Sequence, residues 1–296
     1  MVLVVVLSLS AALVYGASDF LGGAAAKRLN VVSATTLNYA LAAVVILLAL
    51  PFVGGRWSGG AVSSGAIGGV LAIVGLLAFY AVLAIGPMSL LSPLIALIQA
   101  TVPIAIAAFS GQGLSALAWV AIGVAVIAIV LISPPRVEGT VRITPRAAVL
   151  AVFSGIALGF SLVALDAAPI DSGIVPALWE IIVGLGVLAI LLAGLRLTRG
   201  RLSGPLVETA ARDHAPGSAR RAWLASAASG ALLGAANCFI VIALHLGDLA
   251  VVAVLITTYP VATVVLAATV FRERIAPVQV VGIVLVIAAA LLLSAV

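Results

Sequence analysis

Apolar runs of about 20 residues follow one another along this chain, and charge is confined almost wholly to the gaps between them. A run of that length crosses the ~30 Å hydrocarbon layer of a bilayer as a single helix. Ten runs can be marked, at roughly 2–22, 31–53, 65–85, 89–109, 114–132, 147–166, 173–195, 222–243, 248–270 and 277–295. Buried helices of a water-soluble protein would need a polar surface to enclose them. Only 8% of the 296 residues are charged, against about a quarter in soluble domains. The chain therefore reads as an all-α integral membrane protein with ten transmembrane helices. The first run lacks a basic segment ahead of it and is too long for a signal peptide, so it reads as a retained span.

Two polar segments interrupt the series, at 133–146 and 196–221, and the first leaves five spans on either side. The halves resemble one another. Residues 79–109 echo 239–269, with Phe79 against Phe239, Gly86 against Gly247, Pro103 against Pro260 and, further on, Gly123 against Gly282. Gly16 aligns with Gly159, and on the second and seventh spans Asn38 and Tyr39 align with Trp179 and Glu180. This reading gives a five-helix repeat at 1–132, a linker at 133–146 and a second repeat at 147–296 that carries the basic loop 196–221. Because five is odd, the second copy enters the bilayer from the opposite side. Inverted repeats are a recurring architecture of secondary transporters, with the solute site at the repeat interface near mid-membrane.

Basic residues set the orientation. Thirteen of the 14 Lys and Arg fall in the loops on one side, and only Arg56 lies on the other. The positive-inside rule makes the crowded side cytoplasmic and both termini external. The same placement excludes nucleic acid as a partner, despite a pI near 10, because the basic residues are scattered topology signals rather than a patch. A single cysteine, Cys238, excludes an internal disulfide.

Polar residues within the spans are few and costly, ~3 kcal/mol for a carboxylate at a helix centre. Asp19 lies near the cytoplasmic end of the first span, with Tyr15 one turn earlier on the same face and Ser18 and Gly22 continuing the stripe. A contact to Lys27 or to lipid headgroups would also account for Asp19. Glu180 sits deeper, about two turns into its helix, next to Trp179 and one turn from Pro176. It must be neutral, paired or exposed to an aqueous cavity. Gln99 precedes Pro103 by one turn, while Thr258 and Tyr259 directly precede Pro260. Proline frees a carbonyl, which is tolerated at depth where the backbone lines a cavity or is satisfied otherwise. Tyr80 and Asn237 are weaker candidates, and a tight external turn accounts for His245 and Asp248. No phosphate-binding glycine loop, metal-ligand cluster or nucleophile–base pair occurs, which argues against ATP-driven transport within this chain, a metal or cofactor, and an enzyme.

The opening "VYGASDFLGGAAAKR", the ten spans in two halves and the closing "FRERIAPVQVVGIVLVIAAALLL" resemble the EamA-type transporters of the drug/metabolite transporter superfamily. Tyr15–Gly16 stands where such openings often read Trp-Gly. Glu273, Arg274, Gln279 and Gly282 match the end of the family's repeat, whose Glu is missing from the first half. The resemblance implies secondary export or exchange of a small metabolite, amino acid or drug across the bacterial inner membrane, often with cytoplasmic termini.

A central cavity is read as walled mainly by the first, second, fourth, sixth, seventh and ninth spans, with Tyr15, Asp19, Asn38, Tyr39, Gln99, Trp179, Glu180 and Tyr259 as its candidate substrate-binding residues. No basic residue lies within a span, so a phosphorylated solute is disfavoured and a small amphipathic or zwitterionic one is expected. Proton coupling, if present, would use Glu180. A lipid or polyisoprenoid flippase, or a non-transporting partner subunit, would share much of this pattern. The topology carries its own test: in intact cells a membrane-impermeant maleimide should label Arg56→Cys and leave Arg199→Cys unlabelled, and the reverse result would place the termini inside.

Overall fold

The structure, a computed structural model, describes residues 1–26, 28–85, 88–110, 115–132, 144–197, 218–270 and 276–294. Lipid offers no hydrogen-bond partner to a backbone, so apolar runs of this length close their own i to i−4 bonds and become helices. They are α1 (Val2–Ala26), α2 (Val31–Val53), α3 (Gly59–Ile85), α4 (Met88–Phe109), α5 (Ala116–Ile132), α6 (Pro145–Asp166), α7 (Val175–Leu197), α8 (Ser218–Leu246), α9 (Leu249–Ile256), α10 (Pro260–Val270) and α11 (Pro277–Ser294). Six of the described helices are long and apolar enough to span a bilayer, and the remaining apolar stretches are shorter. Polar residues fix the starts. Asn30 Oδ1 accepts from Ser33 N at 3.1 Å ahead of α2, and Thr144 Oγ1 accepts from Ala147 N at 3.3 Å ahead of α6. Large apolar side chains face outward around the bundle, with Phe52 90%, Phe109 92% and Ile190 74% exposed, a surface that only lipid or a partner could cover.

One expected span is not a single helix. The ninth breaks into α9 and α10 at Thr257–Tyr259. Pro260 begins α10, where its missing N–H costs nothing. At the break the backbone tightens, with Thr258 N donating to Leu255 O at 3.2 Å and Tyr259 N to Ile256 O at 3.1 Å, and hydroxyls add to it: Thr257 Oγ1 donates to Val254 O at 2.9 Å and Thr258 Oγ1 to Leu255 O at 2.6 Å. By contrast α4 continues through Pro103.

Helix packing repeats under exchange of the two halves. α1 packs on α8 and α6 on α3; α2 packs on α8 and α7 on α3. α4 packs on α6, as α9 and α10 pack on α1. The pairs α2–α7, α5–α11 and α4–α9 map onto themselves. Glycines set the closest approaches. A Cβ on Gly16 would meet the Tyr259 carbonyl oxygen and lie 2.7 Å from Ala262 Cβ; one on Gly159 would lie 2.9 Å from the Gln99 carbonyl oxygen and 2.7 Å from Val102 Cβ. Gln99 therefore stands to Gly159 as Tyr259 stands to Gly16. That register moves Pro103 and Pro260 three residues out of the alignment drawn from sequence.

At one end of the bundle the turn after α2 interlocks with the one before α7. Gly54, Gly55 and Gly173 hold φ of 77°, 153° and 52°, and Gly54 O accepts from Ile174 N at 3.4 Å. Arg56 N donates to Asp171 O at 2.9 Å, and their side chains form an exposed ion pair at 3.3 Å. Arg199, Arg201 and Arg212 of loop 196–221, Lys27, Glu273, Arg274 and the Arg196 and Tyr80 side chains lie outside the described residues.

The close approach of α6 to α4 makes a contrast that thermal unfolding in detergent can check. Gly159→Val should cost about 1–3 kcal/mol by forcing the helices apart. Gly123→Ala, whose new methyl meets nothing within 4 Å, should leave stability unchanged or raise it.

Candidate functional site

Two three-helix groups, α1–α2–α8 and α3–α6–α7, face each other across a cavity with about 700 Å³ of atom-free space, its opening included. α4 contributes Gln99 and α9 contributes Ile256 to its lining. Six of the eight residues expected from sequence line this space: Tyr15, Asp19, Asn38, Tyr39, Gln99 and Glu180. Trp179 and Tyr259 do not. The Trp179 side chain sits against α3 at Gly65, half-buried, with Nε1 buried and unpartnered. Tyr259 is buried behind Tyr15, the ring centroids 5.6 Å apart and tilted by 53°.

Sequence reasoning also missed two walls. α3 supplies Ala72 and Leu76, and α8 supplies Leu233, Asn237 and Ile240. Asn237 carried a weak polar signal. The leucines carried none, because a cavity-facing leucine and a lipid-facing one are the same residue.

A small polar knot holds the first group together. Ser18 Oγ donates to Ser229 O at 2.8 Å, and Ser229 Oγ donates back to Ser18 O at 2.7 Å. Asn38 Nδ2 then donates to Ser229 Oγ at 2.6 Å. Every hydroxyl in the knot is buried.

The second group has the corresponding parts, with one missing. Ser161 stands where Ser18 stands, since both follow the close-approach glycine by two residues. Its Oγ lies 2.9 Å from Gly68 O and 3.3 Å from Glu180 Oε1, with one proton for two acceptors. Gly68 thus occupies the place of Ser229. Gly69 packs on the Glu180 backbone as Gly230 packs on the Asn38 backbone, so Glu180 corresponds to Asn38 rather than to Tyr39 as aligned from sequence. Where Asn38 finds a hydroxyl, Glu180 finds a glycine. Its Oε2 is buried and has no hydrogen-bond partner among the described residues.

The two groups differ chemically. α1, α2 and α8 present Tyr15, Ser18, Asp19, Asn38, Tyr39 and Asn237 to the cavity; α3, α6 and α7 present Leu76, Leu158, Leu162, Leu165 and Ile181 around Ser161 and Glu180. The lining holds two carboxyl groups and no lysine, arginine or histidine.

Comparison with known proteins agrees with this architecture. The family model described as "EamA-like transporter family" matches residues 145–295, just over half of the chain. A crystal structure of a protein 16% identical in sequence superposes with a TM-score of 0.73, covering 99% of this chain and 96% of the other. At that identity the likeness concerns the fold alone. No curated protein sequence matches.

The knot predicts a measurable coupling between Asn38 and Ser229. In a double-mutant cycle by thermal unfolding, Asn38→Leu and Ser229→Ala should each destabilise, with a coupling energy of about 0.6–1.7 kcal/mol. Additive effects would mean that the 2.6 Å contact contributes nothing to the fold.

Proposed function

The chain belongs to the EamA-like transporter family, and we propose that it is a secondary transporter that exports or exchanges a small amphipathic solute by alternating access across the bacterial inner membrane. The cavity between the two helix groups is the observation that carries this reading. A transporter needs a site that each half can close in turn, and inverted five-helix repeats supply two halves of related packing. The exchange-related helix contacts support that repeat, and with it ten spans in two units, the ninth broken at Thr257–Tyr259. Loop charge supports termini on the external side.

We take the interlocked turns at Gly54 and Gly173 as the closed gate on the side where Arg56 lies. Opening there would separate Arg56 from Asp171, an exposed pair worth little, at small cost.

Coupling would fall to Glu180. A buried carboxylate with one unpartnered oxygen is costly when charged, and either a proton or a cationic solute would relieve that cost. The other titratable groups facing the cavity are Tyr15, Asp19 and Tyr39. Competition between proton and solute at one carboxylate is enough to make their movements antiparallel.

Proteoliposomes containing trapped pyranine and an imposed pH gradient test this. Of phenylalanine, leucine and phenethylamine, offered in turn, at least one should dissipate the gradient faster with wild-type protein than in protein-free liposomes, and Glu180→Gln should reduce that protein-dependent flux about tenfold or more, the effect of losing one charge-assisted hydrogen bond. Full pH-driven flux in Glu180→Gln would remove Glu180 from coupling. Absence of solute-dependent flux for every compound in the wild type would count against the transport reading.

A further inference from the structure

We propose that the solute is an organic ammonium ion without a carboxylate, its charged head on Glu180 Oε2 and its apolar body along the leucine wall of α3 and α6. This rests on the transport reading above and narrows its substrate. Three observations lead to it.

The first is the unpartnered oxygen. Glu180 is 7% exposed, yet Oε2 receives no hydrogen bond and Oε1 competes with Gly68 O for the single proton of Ser161. A buried carboxylate oxygen without a donor costs more than the same oxygen bonded. Its counterpart Asn38 is an amide whose Nδ2 donates to Ser229 Oγ, whereas the residue beside Glu180 is Gly68, which has no side chain. The deficit is therefore local to the second half, and an ammonium N–H from a ligand fits it.

The second is the charge of the lining. Asp19 and Glu180 face the cavity, and no cationic side chain does among the described residues. A solute bearing a carboxylate would bring a further negative group into a low-dielectric space with no positive partner, which is unfavourable even when its own ammonium is well placed. A cation reverses the sign of that term.

The third is the distribution of apolar surface. Leu76, Leu158, Leu162 and Ile181 line the cavity on the side of Glu180, whereas most of the polar side chains lie on α1, α2 and α8, beside Leu233 and Ile240. A cation held at Glu180 lays its hydrocarbon on that wall without burying polar groups of either partner.

Gly68 offers a test that leaves the carboxylate in place. A Cβ there would lie 3.4 Å or more from its neighbours, so the first side-chain atom of Gly68→Ser sits at ordinary contact distance. A hydroxyl at this position that turns its proton to Glu180, rather than to the Ser161 carbonyl as Ser229 turns to that of Ser18, competes with the ligand. Binding to purified protein in detergent would be measured by calorimetry for phenethylamine, phenylalanine and 3-phenylpropionate, which share one apolar body and differ in head group. Phenethylamine should bind best, phenylalanine at least about tenfold more weakly, and 3-phenylpropionate not detectably. Glu180→Gln and Gly68→Ser should each weaken phenethylamine about 10- to 100-fold, with the thermal stability of unliganded Gly68→Ser unchanged to show that it folds.

Phenylalanine binding as tightly as phenethylamine overturns the assignment, as does phenethylamine binding that neither substitution alters, or no saturable phenethylamine binding at all. Phenethylamine that binds as expected but moves no protons in proteoliposomes would sustain the site while sinking the transport reading. Proton-coupled movement of phenylalanine alone would do the reverse.

Discussion

A bilayer supplies no hydrogen bonds, and the rest of this structure follows from where the chain finds its own. Backbone groups are satisfied within helices, so architecture is settled by length and apolarity alone. Side chains then carry all the specificity, and few are polar. Serines serve as the bundle's internal fasteners: Ser154 donates to Gly75 O at 2.8 Å, Ser161 to Gly68 O at 2.9 Å and Ser226 to Ala34 O at 2.8 Å. Each ties one helix to the backbone of another rather than to its own preceding turn. Fasteners of this kind need close helix approach, which the glycines at the crossings permit.

Against that background the difference between the halves acquires meaning. Packing places Asn38 and Glu180 at corresponding points, with a serine on α8 beside the first and a glycine on α3 beside the second. The amide donates to that serine in a knot that joins α1, α2 and α8. The carboxylate shares one serine proton, and its buried Oε2 has no partner among the described residues.

Much of this was legible in the sequence, and the failures have physical causes. Helix positions came through because span length is dictated by bilayer thickness, a constraint no tertiary contact can override. Tyr15, Asp19, Asn38, Tyr39, Gln99 and Glu180 were found because polarity at depth is rare and stands out. Trp179 was taken with its neighbour Glu180, although adjacent helical residues point about 100° apart. Tyr259 does not line the cavity and packs against Tyr15, which does. The leucine wall was invisible, since sequence does not say whether a leucine faces lipid or a cavity. On α2 and α7 the glycine contacts set Glu180 against Asn38, one residue from the alignment drawn from sequence, since apolar helices align almost equally well when shifted.

The break in the ninth span shows the same logic at the backbone. Pro103 and Pro260 look equivalent in sequence, yet only the second interrupts its helix. A proline removes one donor and crowds one carbonyl, which a helix can absorb by local adjustment. Parting the helix requires the freed carbonyls to find donors inside the membrane. Thr257 and Thr258 supply two hydroxyls directly upstream of Pro260. In α4 the one nearby hydroxyl, Thr101 Oγ1, bonds back to Leu97 O at 2.8 Å within an intact turn. The break therefore depends on the paired threonines as much as on the proline. It also sets Tyr259 O against Gly16 on α1, the helix that carries Tyr15 and Asp19 into the cavity. A change in the α9–α10 junction would be felt first at that contact, which makes the junction a mechanical link between the ninth span and the polar wall.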